Sequence, residues 1–133
     1  MSLFFIDTNI FMYAIGKSHA FKEPCMSLLN RVESGEVAAV TNTEVLQEIL
    51  YRYEAIHLPK VGYALFDQIT DTFPVIWSVE KEDLLLARQW VEKNHVKTRD
   101  AIHAATMKRY QVSELYSFDS DFDRFSFVKR LVP

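Results

Sequence analysis

Leu3-Phe-Phe-Ile-Asp-Thr-Asn9 is the most informative stretch of the sequence, because four apolar residues without polar alternation end abruptly in three polar ones. A short continuous apolar run is typical of a strand buried on both faces, whereas a half-exposed strand alternates. The run therefore predicts a central strand of a parallel sheet, with Asp7 at its carboxyl end. Ligands bind at that end of the strands in open parallel sheets.

Strands and helices alternate along the rest of the chain. Further strands are predicted at residues 37–40, 73–77, 115–118 and 127–131. Residues 73–77 are expected at the periphery, because Pro74 cannot donate a hydrogen bond within a sheet. Helices are predicted from about residue 10, over about 21–34, 43–55, 63–70 and 80–94, and from residue 98. This alternation indicates an α/β fold with a mainly parallel sheet of four to five strands.

Local capping signals set the expected helix boundaries. Thr41-Asn-Thr-Glu44 has the form of a capping box for the third helix. Thr98 is the expected N-cap of the last helix, and Gly35 is expected to follow the end of the second. Residues 57–62 are predicted to form a turn. No repeat or linker divides the chain, so we expect one domain over residues 1–133.

Composition and charge limit the classes of function. The 133 residues are 49% apolar and 14% aromatic, with only three Gly and four Pro, which favours a helix-rich globular protein over a disordered chain. A net charge of −3 disfavours a protein that coats nucleic acid through a basic surface. The lone Cys25 excludes an intramolecular disulfide framework and a multi-cysteine zinc site. No apolar run approaches the ~20 residues of a membrane span, so we expect a soluble, cytoplasmic protein.

Five acidic residues are the candidates for chemistry. Asp7 and Asp119 directly follow predicted strands from opposite ends of the chain. Asp100 lies in the first turn of a helix, where an acid complements the helix dipole or faces a ligand. Glu48 flanks the apolar stripe of the third helix and is a better candidate than Glu44, which the capping box already uses. If these carboxylates converge, their repulsion requires a cation, and an all-oxygen cluster suits Mg²⁺ or Mn²⁺ in phosphoryl transfer.

Four motifs containing these acids occur in order over essentially the whole chain: Phe-Phe-Ile-Asp7-Thr8-Asn9, Val45-Leu-Gln-Glu48-Ile, Arg99-Asp100-Ala-Ile-His-Ala-Ala and Tyr-Ser117-Phe-Asp119-Ser-Asp121-Phe. Together they resemble the PIN-domain family, particularly the VapC-like toxins of prokaryotic toxin–antitoxin pairs. The resemblance implies a three-layer α/β/α sandwich and a metal-dependent ribonuclease. It further implies that one or two Mg²⁺ or Mn²⁺ ions and an attacking water are positioned by Asp7, Glu48, Asp100 and Asp119.

The resemblance also implies supporting residues and partners. Asn9 and Ser117 match polar residues that orient the carboxylates by hydrogen bonds, and Ser117 keeps the hydroxyl where the family often has Thr. The implied partners are an RNA substrate, a second copy in a homodimer and a small VapB-like antitoxin.

The sequence allows two interpretations for several residues near these motifs. Asp121 either caps a turn or contacts a second metal ion, and Asp123 fits a solvated turn. His103 could overlook the cleft, although a lone helical histidine is more often structural. Four basic residues could meet phosphates or simply be solvated: Lys97, Arg99, Lys108 and Arg109. Four aromatic residues could form an interface patch or pack in the core: Phe11, Tyr13, Tyr51 and Tyr53.

Two other classes of protein stay open as alternatives. A metal-dependent phosphatase of the haloacid-dehalogenase type also begins with an apolar strand and an Asp. It requires an acid two residues later, where this chain has Asn9. The other alternative is a non-catalytic binding module, in which the acids serve only as helix caps and surface charges.

Overall fold

The strand β1 (Leu3–Ile6) lies at the centre of a five-stranded parallel sheet of order β3-β2-β1-β4-β5. This computed structural model describes residues 2–133, so Met1 of the expected domain lies outside it. Phe5 and Ile6 are fully buried, as predicted for a central strand. The other strands are β2 (Ala38–Asn42), β3 (Ile76–Trp77), β4 (Glu114–Tyr116) and β5 (Lys129–Leu131).

Six helices connect the strands within residues 2–133 and complete the predicted α/β sandwich. They are α1 (Thr8–Ile15), α2 (Lys22–Glu33), α3 (Thr43–Ala55), α4 (Pro59–Thr72), α5 (Lys81–Asn94) and α6 (Thr98–Arg109). A short 3-10 helix, Ser120–Arg124, occupies the turn predicted after β4. Among the described residues, no helix is long and apolar enough to cross a membrane.

The order of the strands reverses beside β1. The chain proceeds from β1 through β2 to β3 on one side, and then places β4 and β5 on the other. The backbone N–H of Asp7 donates to the carbonyl of Tyr116 (3.1 Å), so β1 and β4 end side by side. Residues that follow these two strands therefore meet at the switch point of the sheet, where ligands bind in such folds.

The predicted N-caps of α3 and α6 are wrong, and α1 begins two residues earlier than expected. Asn42, not Thr41, caps α3 by accepting from the N–H of Val45 (3.0 Å), while the Thr41 hydroxyl donates to the carbonyl of Ile6 (3.1 Å). Glu44 therefore does not act in a capping box. Thr98 is the first residue of α6, and the side chain of its N-cap, Lys97, makes no hydrogen bond to the N-terminus of the helix. The helix α1 begins at Thr8 instead of residue 10 because Asp7 caps it.

The predicted turn at residues 57–62 is only partly present, because α4 already begins at Pro59. Proline suits the first position of a helix, where its missing N–H has no partner to lose. Gly62 then lies inside α4, directly against α3. A Cβ added at Gly62 would lie 2.9 Å from Cβ of Tyr53, so glycine permits a close approach of the two helices.

Other boundaries agree with prediction or differ slightly. Gly35 has φ +83° directly after the C-cap of α2, as expected of a C′ glycine. The peripheral strand β3 has two residues and the edge strand β5 has three, so both are shorter than predicted.

The aromatic residues expected to form an interface patch do not form one surface. Phe11 is 1% exposed and Tyr53 is 6% exposed, so both belong to the core and the patch prediction is wrong for them. Tyr13 is half-buried and packs edge-on against Phe21 and Phe118. Only Tyr51 is freely exposed among the four.

Candidate active site

The fold brings the four predicted acids together in one cleft of ≈ 320 Å³ at the carboxyl end of the sheet. Asp7 follows β1 and Asp119 follows β4, whereas Glu48 projects from α3 and Asp100 from the first turn of α6. Asp7, Glu48 and Asp100 are each more than 90% buried. Residues from four separate segments of the chain thus place carboxylates around a single space.

The Ser117 hydroxyl links the two acids that follow strands. It donates to Oδ2 of Asp7 (2.7 Å) and accepts from the backbone N–H of Asp119 (2.9 Å) and from Nδ2 of Asn9 (3.3 Å). Asp7 also accepts from the N–H of Thr8 at Oδ1 (2.8 Å). The Asp7 carboxylate is therefore fixed by neutral donors, and Asn9 and Ser117 lie where an orienting role requires them.

Glu48 is held by two residues that the sequence analysis did not select. The Thr8 hydroxyl donates to Oε1 of Glu48 (2.9 Å), and Nε of Arg52 donates to Oε2 (3.0 Å). Arg99 approaches the same Oε2 at 3.8 Å. The four-residue spacing of Glu48 and Arg52 on one helix was the available signal for their pairing. No comparable local signal links Thr8 to a residue 40 positions away.

Burial raises the pKa of two of the acids. The pKa of Asp100 is raised to about 7, first by burial and then by the nearby charges of Asp119 and Asp7. The pKa of Asp7 is raised to about 6 by burial, although hydrogen bonds from Ser117 and Thr8 favour its ionised form. Oδ2 of Asp100 is also buried without a hydrogen-bond partner. The cleft thus concentrates negative charge that the protein itself does not fully compensate.

Asp121 joins this group, a point that the sequence left open. Asp100, Asp119 and Asp121 each place one carboxylate oxygen within 4.8 Å of the others. Asp119 accepts from the N–H of Asp121 (2.9 Å), and Asp121 pairs with Lys97 (3.2 Å). Asp123 instead forms a two-bond pair with Arg130 outside the cleft.

His103 lies beneath the cleft, 1% exposed, with its Nε2 atom unpartnered. Nε2 is 3.7 Å from Oδ1 of Asp7 and 4.0 Å from Oε1 of Glu48. Burial lowers the pKa of His103 to about 4. The imidazole is therefore neutral near pH 7.

Only two of the four basic residues that could meet phosphates line the cleft. Lys97 and Arg99 are among its lining residues. Arg109 instead binds Asp83 through two bonds of 2.9 Å. The ammonium group of Lys108 lies over aromatic rings, 5.4 Å from the ring centre of Phe127. Arg109 and Lys108 are therefore not among the residues that line the cleft.

The side chains that surround the cleft fit a hard divalent cation. The converging ligand atoms are carboxylate oxygens, which Mg²⁺ and Mn²⁺ prefer over the softer ligands of zinc. A cation beside Asp100 would provide its buried Oδ2 with the partner that the protein lacks.

Comparison with known proteins agrees with this geometry. The family model for the PIN domain matches residues 4–128 of the chain. The chain belongs to the PIN-domain family. PIN-domain ribonucleases are metal-dependent, in keeping with the carboxylate cluster. Membership of this family excludes the alternative of a dehalogenase-type phosphatase.

Within the PIN-domain family, the relatives are VapC ribonucleases. Ribonuclease VapC13 of Mycobacterium tuberculosis is 37% identical over 127 residues, which cover 95% of this chain and 97% of VapC13. The crystal structure of M. tuberculosis VapC20, a sarcin-ricin loop cleaving toxin, has a TM-score of 0.78 at 19% identity, covering 96% of this chain and 97% of VapC20. DNA-bound VapBC from Salmonella typhimurium has a TM-score of 0.75 at 14% identity, covering 99% and 98%. This PIN-domain chain is thus a VapC-like ribonuclease.

Proposed function

We propose that this chain hydrolyses RNA phosphodiester bonds as a VapC-like toxin, with Mg²⁺ or Mn²⁺ held by Asp7, Glu48, Asp100 and Asp119. The observation that carries the proposal is the convergence of these four acids in one cleft, where Oδ2 of Asp100 has no protein partner. We further propose that residues 1–133 act as one domain.

The protein residues have distinct roles in this reaction. When bound, the divalent cation activates a water and offsets charge on the scissile phosphate. Ser117 and Thr8 hold the Asp7 carboxylate through two hydrogen bonds from neutral donors, and the same Ser117 hydroxyl accepts from the N–H of Asp119. Lys97 and Arg99 at the rim supply positive charge where the RNA backbone enters.

The partners follow from family membership. Because VapC ribonucleases are the relatives, we expect a small VapB-like antitoxin to bind this chain and inhibit it. The solved Salmonella assembly is a VapBC complex, and this chain shares its fold. We also expect a homodimer and a cytoplasmic location, in which RNA is accessible.

RNA cleavage by the purified chain tests the proposed function. Wild-type protein should cleave RNA with Mg²⁺ or Mn²⁺ and lose cleavage in EDTA, whereas Asp7→Asn and Asp100→Asn should be inactive but folded by circular dichroism. Sequencing of the cleaved ends would identify the target. Retained cleavage in both variants would remove these residues from the reaction.

The non-catalytic alternative predicts different results. A binding module that uses its acids only as caps would show no cleavage, and divalent cations would leave its melting temperature unchanged. A clear rise in melting temperature with Mg²⁺ or Mn²⁺, lost in Asp100→Asn, would instead support the metal site.

A further inference from the structure

The Nε2 atom of His103 is a buried polar atom that has no role in the proposed reaction so far. His103 lies on α6, one turn beyond Asp100, and is 1% exposed. Its Nε2 atom has no hydrogen-bond partner. Unpartnered buried polar atoms are rare in proteins and require an explanation. The nearest acidic oxygens are Oδ1 of Asp7 (3.7 Å) and Oε1 of Glu48 (4.0 Å), so the atom faces the carboxylate cleft.

Asn42 determines which nitrogen of His103 carries the proton. The N–H of Val45 is a donor, so the Asn42 atom that faces it (3.0 Å) must be the carbonyl oxygen. The amide nitrogen of Asn42 therefore points the other way and lies 3.1 Å from Nδ1 of His103. Since this nitrogen can only donate, Nδ1 must accept. The proton of the neutral ring is consequently on Nε2, which faces the acids.

Thr106 supports the same orientation of the Asn42 amide. Its hydroxyl donates to the carbonyl of His103 (2.8 Å) and can therefore accept from Nδ2 of Asn42 (3.0 Å). Both protons of the amide nitrogen thus have acceptors. The Asn42 residue that caps α3 also fixes the histidine tautomer under the cleft.

The Nε2–H group of His103 faces the same oxygens as Thr8, at distances longer than a hydrogen bond. Thr8 donates its backbone N–H to Oδ1 of Asp7 and its hydroxyl to Oε1 of Glu48. Nε2 of His103 faces these two oxygens from below. Two hydrogen bonds from Thr8 and the nearby Nε2–H of His103 therefore face one oxygen on each of two carboxylates, which would otherwise repel one another.

We propose that His103 is a positioning residue whose Nε2–H faces both Asp7 and Glu48 and keeps these two acids in the arrangement in which they would hold the cation. This role rests on the proposed function, because it assumes that both acids bind the metal. The histidine itself contacts neither RNA nor cation. Residues that orient metal ligands in this way typically contribute roughly 10- to 100-fold to metal affinity.

Two substitutions at position 103 separate positioning from packing. His103→Gln places an amide donor near the position of Nε2, whereas His103→Leu keeps an apolar side chain of similar size without a donor. Met107→Leu, a buried change on the same helix, is the matched control because volume-conserving swaps perturb cores little. Mn²⁺ affinity is measured by isothermal titration calorimetry, and folding is verified by circular dichroism.

The proposal predicts that His103→Leu weakens Mn²⁺ binding roughly 10-fold or more. His103→Gln and Met107→Leu should stay within about threefold of the wild type, since each keeps the donor that orients the acids. Equal affinity in the Leu and Gln variants would overturn the positioning role. If the wild type itself fails to bind Mn²⁺, the proposed function fails instead, which makes the two failures distinguishable.

Nitrogen-15 NMR of the imidazole tests the tautomer without any metal. The wild-type protein should show a protonated Nε2 and an unprotonated Nδ1 at neutral pH. A protonated Nδ1 would overturn the proposal even if His103→Leu failed to fold.

Discussion

At the scale of single residues, the buried Oδ2 of Asp100 shows that the cleft lowers the stability of the folded protein. A buried polar atom without a hydrogen-bond partner loses its hydration and gains nothing in return. Such an atom typically costs on the order of 1–3 kcal/mol of the free energy of unfolding. The protein therefore keeps a destabilising carboxylate where a cation can compensate it, a common exchange of stability for function.

Asp100→Asn should therefore stabilise the cation-free protein while abolishing its response to metal. The amide can donate to the neighbouring acids, so we expect the free energy of unfolding in EDTA to rise by about 1–3 kcal/mol. Urea denaturation in EDTA and in excess Mg²⁺ measures both effects.

Asp123→Asn is the matched control for this experiment, because Asp123 is an aspartate that pairs with Arg130 outside the cleft. We expect it to retain the wild-type response to Mg²⁺. A decrease in the stability of Asp100→Asn in EDTA would contradict the electrostatic account of the cleft.

Cys25 provides a second prediction at this scale. Burial raises the pKa of its thiol from 9.0 to about 11. The folded state thus holds this proton more tightly than the unfolded state, so its contribution reduces stability as pH rises from about 9 to about 11. Because only the thiolate reacts, native Cys25 should react with a disulfide reagent at pH 8 about 100-fold more slowly than in urea. Equal rates would mean that the thiol is accessible in the folded chain.

At the scale of elements, the contact between α3 and α4 depends on the absence of a side chain. Gly62→Ala improves helix propensity by about 1 kcal/mol. However, the added Cβ would lie 2.9 Å from Cβ of Tyr53, which no rotamer change can move. Overpacking of this kind costs about 1–3 kcal/mol. We therefore expect a net loss of up to about 2 kcal/mol in urea denaturation.

Lys60→Ala in the first turn of the same helix is the control, because Lys60 is exposed. Its effect should stay within about 0.5 kcal/mol. An increase in stability for Gly62→Ala would show that the two helices can separate without cost.

Element types were predictable from the sequence more reliably than element ends. Buried apolar runs and helical periodicity identify strands and helices because burial determines both patterns. The cap of α3 was not predictable, since Thr41 and Asn42 are both capping residues in a plausible position. The choice depends on where β2 ends, and pairing of Asn42 with Trp77 in β3 extends that strand. This information is tertiary and is absent from the local sequence.

At the scale of the whole molecule, the net charge of −3 acquires a different meaning. The four proposed ligands carry four of the negative charges, so the rest of the chain has a formal charge of +1. The acidic balance therefore reflects the cleft more than the surface. RNA binding should depend on a bound cation, because without one the phosphates meet uncompensated carboxylates.

Fluorescence anisotropy with labelled RNA tests this dependence. Ca²⁺ is used because it binds carboxylates but is a weaker activator of water. Replacement of EDTA by Ca²⁺ should strengthen RNA binding by at least about tenfold, which corresponds to about 1.4 kcal/mol of binding free energy. Asp7→Asn with Asp100→Asn should bind RNA equally in both conditions. Tight wild-type binding in EDTA would instead assign recognition to the basic rim.

The site was predictable to the extent that it follows from topology. Asp7 and Asp119 were found because residues directly after parallel strands meet at one edge of the sheet. Thr8 and Arg52 were missed as cleft residues, and the role of His103 was left open, because their partners lie on other elements or depend on side-chain direction. The contact between Asn42 and His103, for example, spans 61 residues. Sequence patterns place the carboxylates, whereas only the folded chain reveals the donors that hold them.

The hydrogen bond from the Ser117 hydroxyl to Asp7 joins residues 110 positions apart. During synthesis it can therefore form only after Ser117 has left the ribosome. The ribosome releases β1 before its neighbour β4 and before the acid that follows β4. Until then, one side of β1 has no partner, and the cleft lacks Asp119. A nascent chain that has not reached β4, or a chain terminated before it, would consequently lack one of the four acids proposed for RNA cleavage.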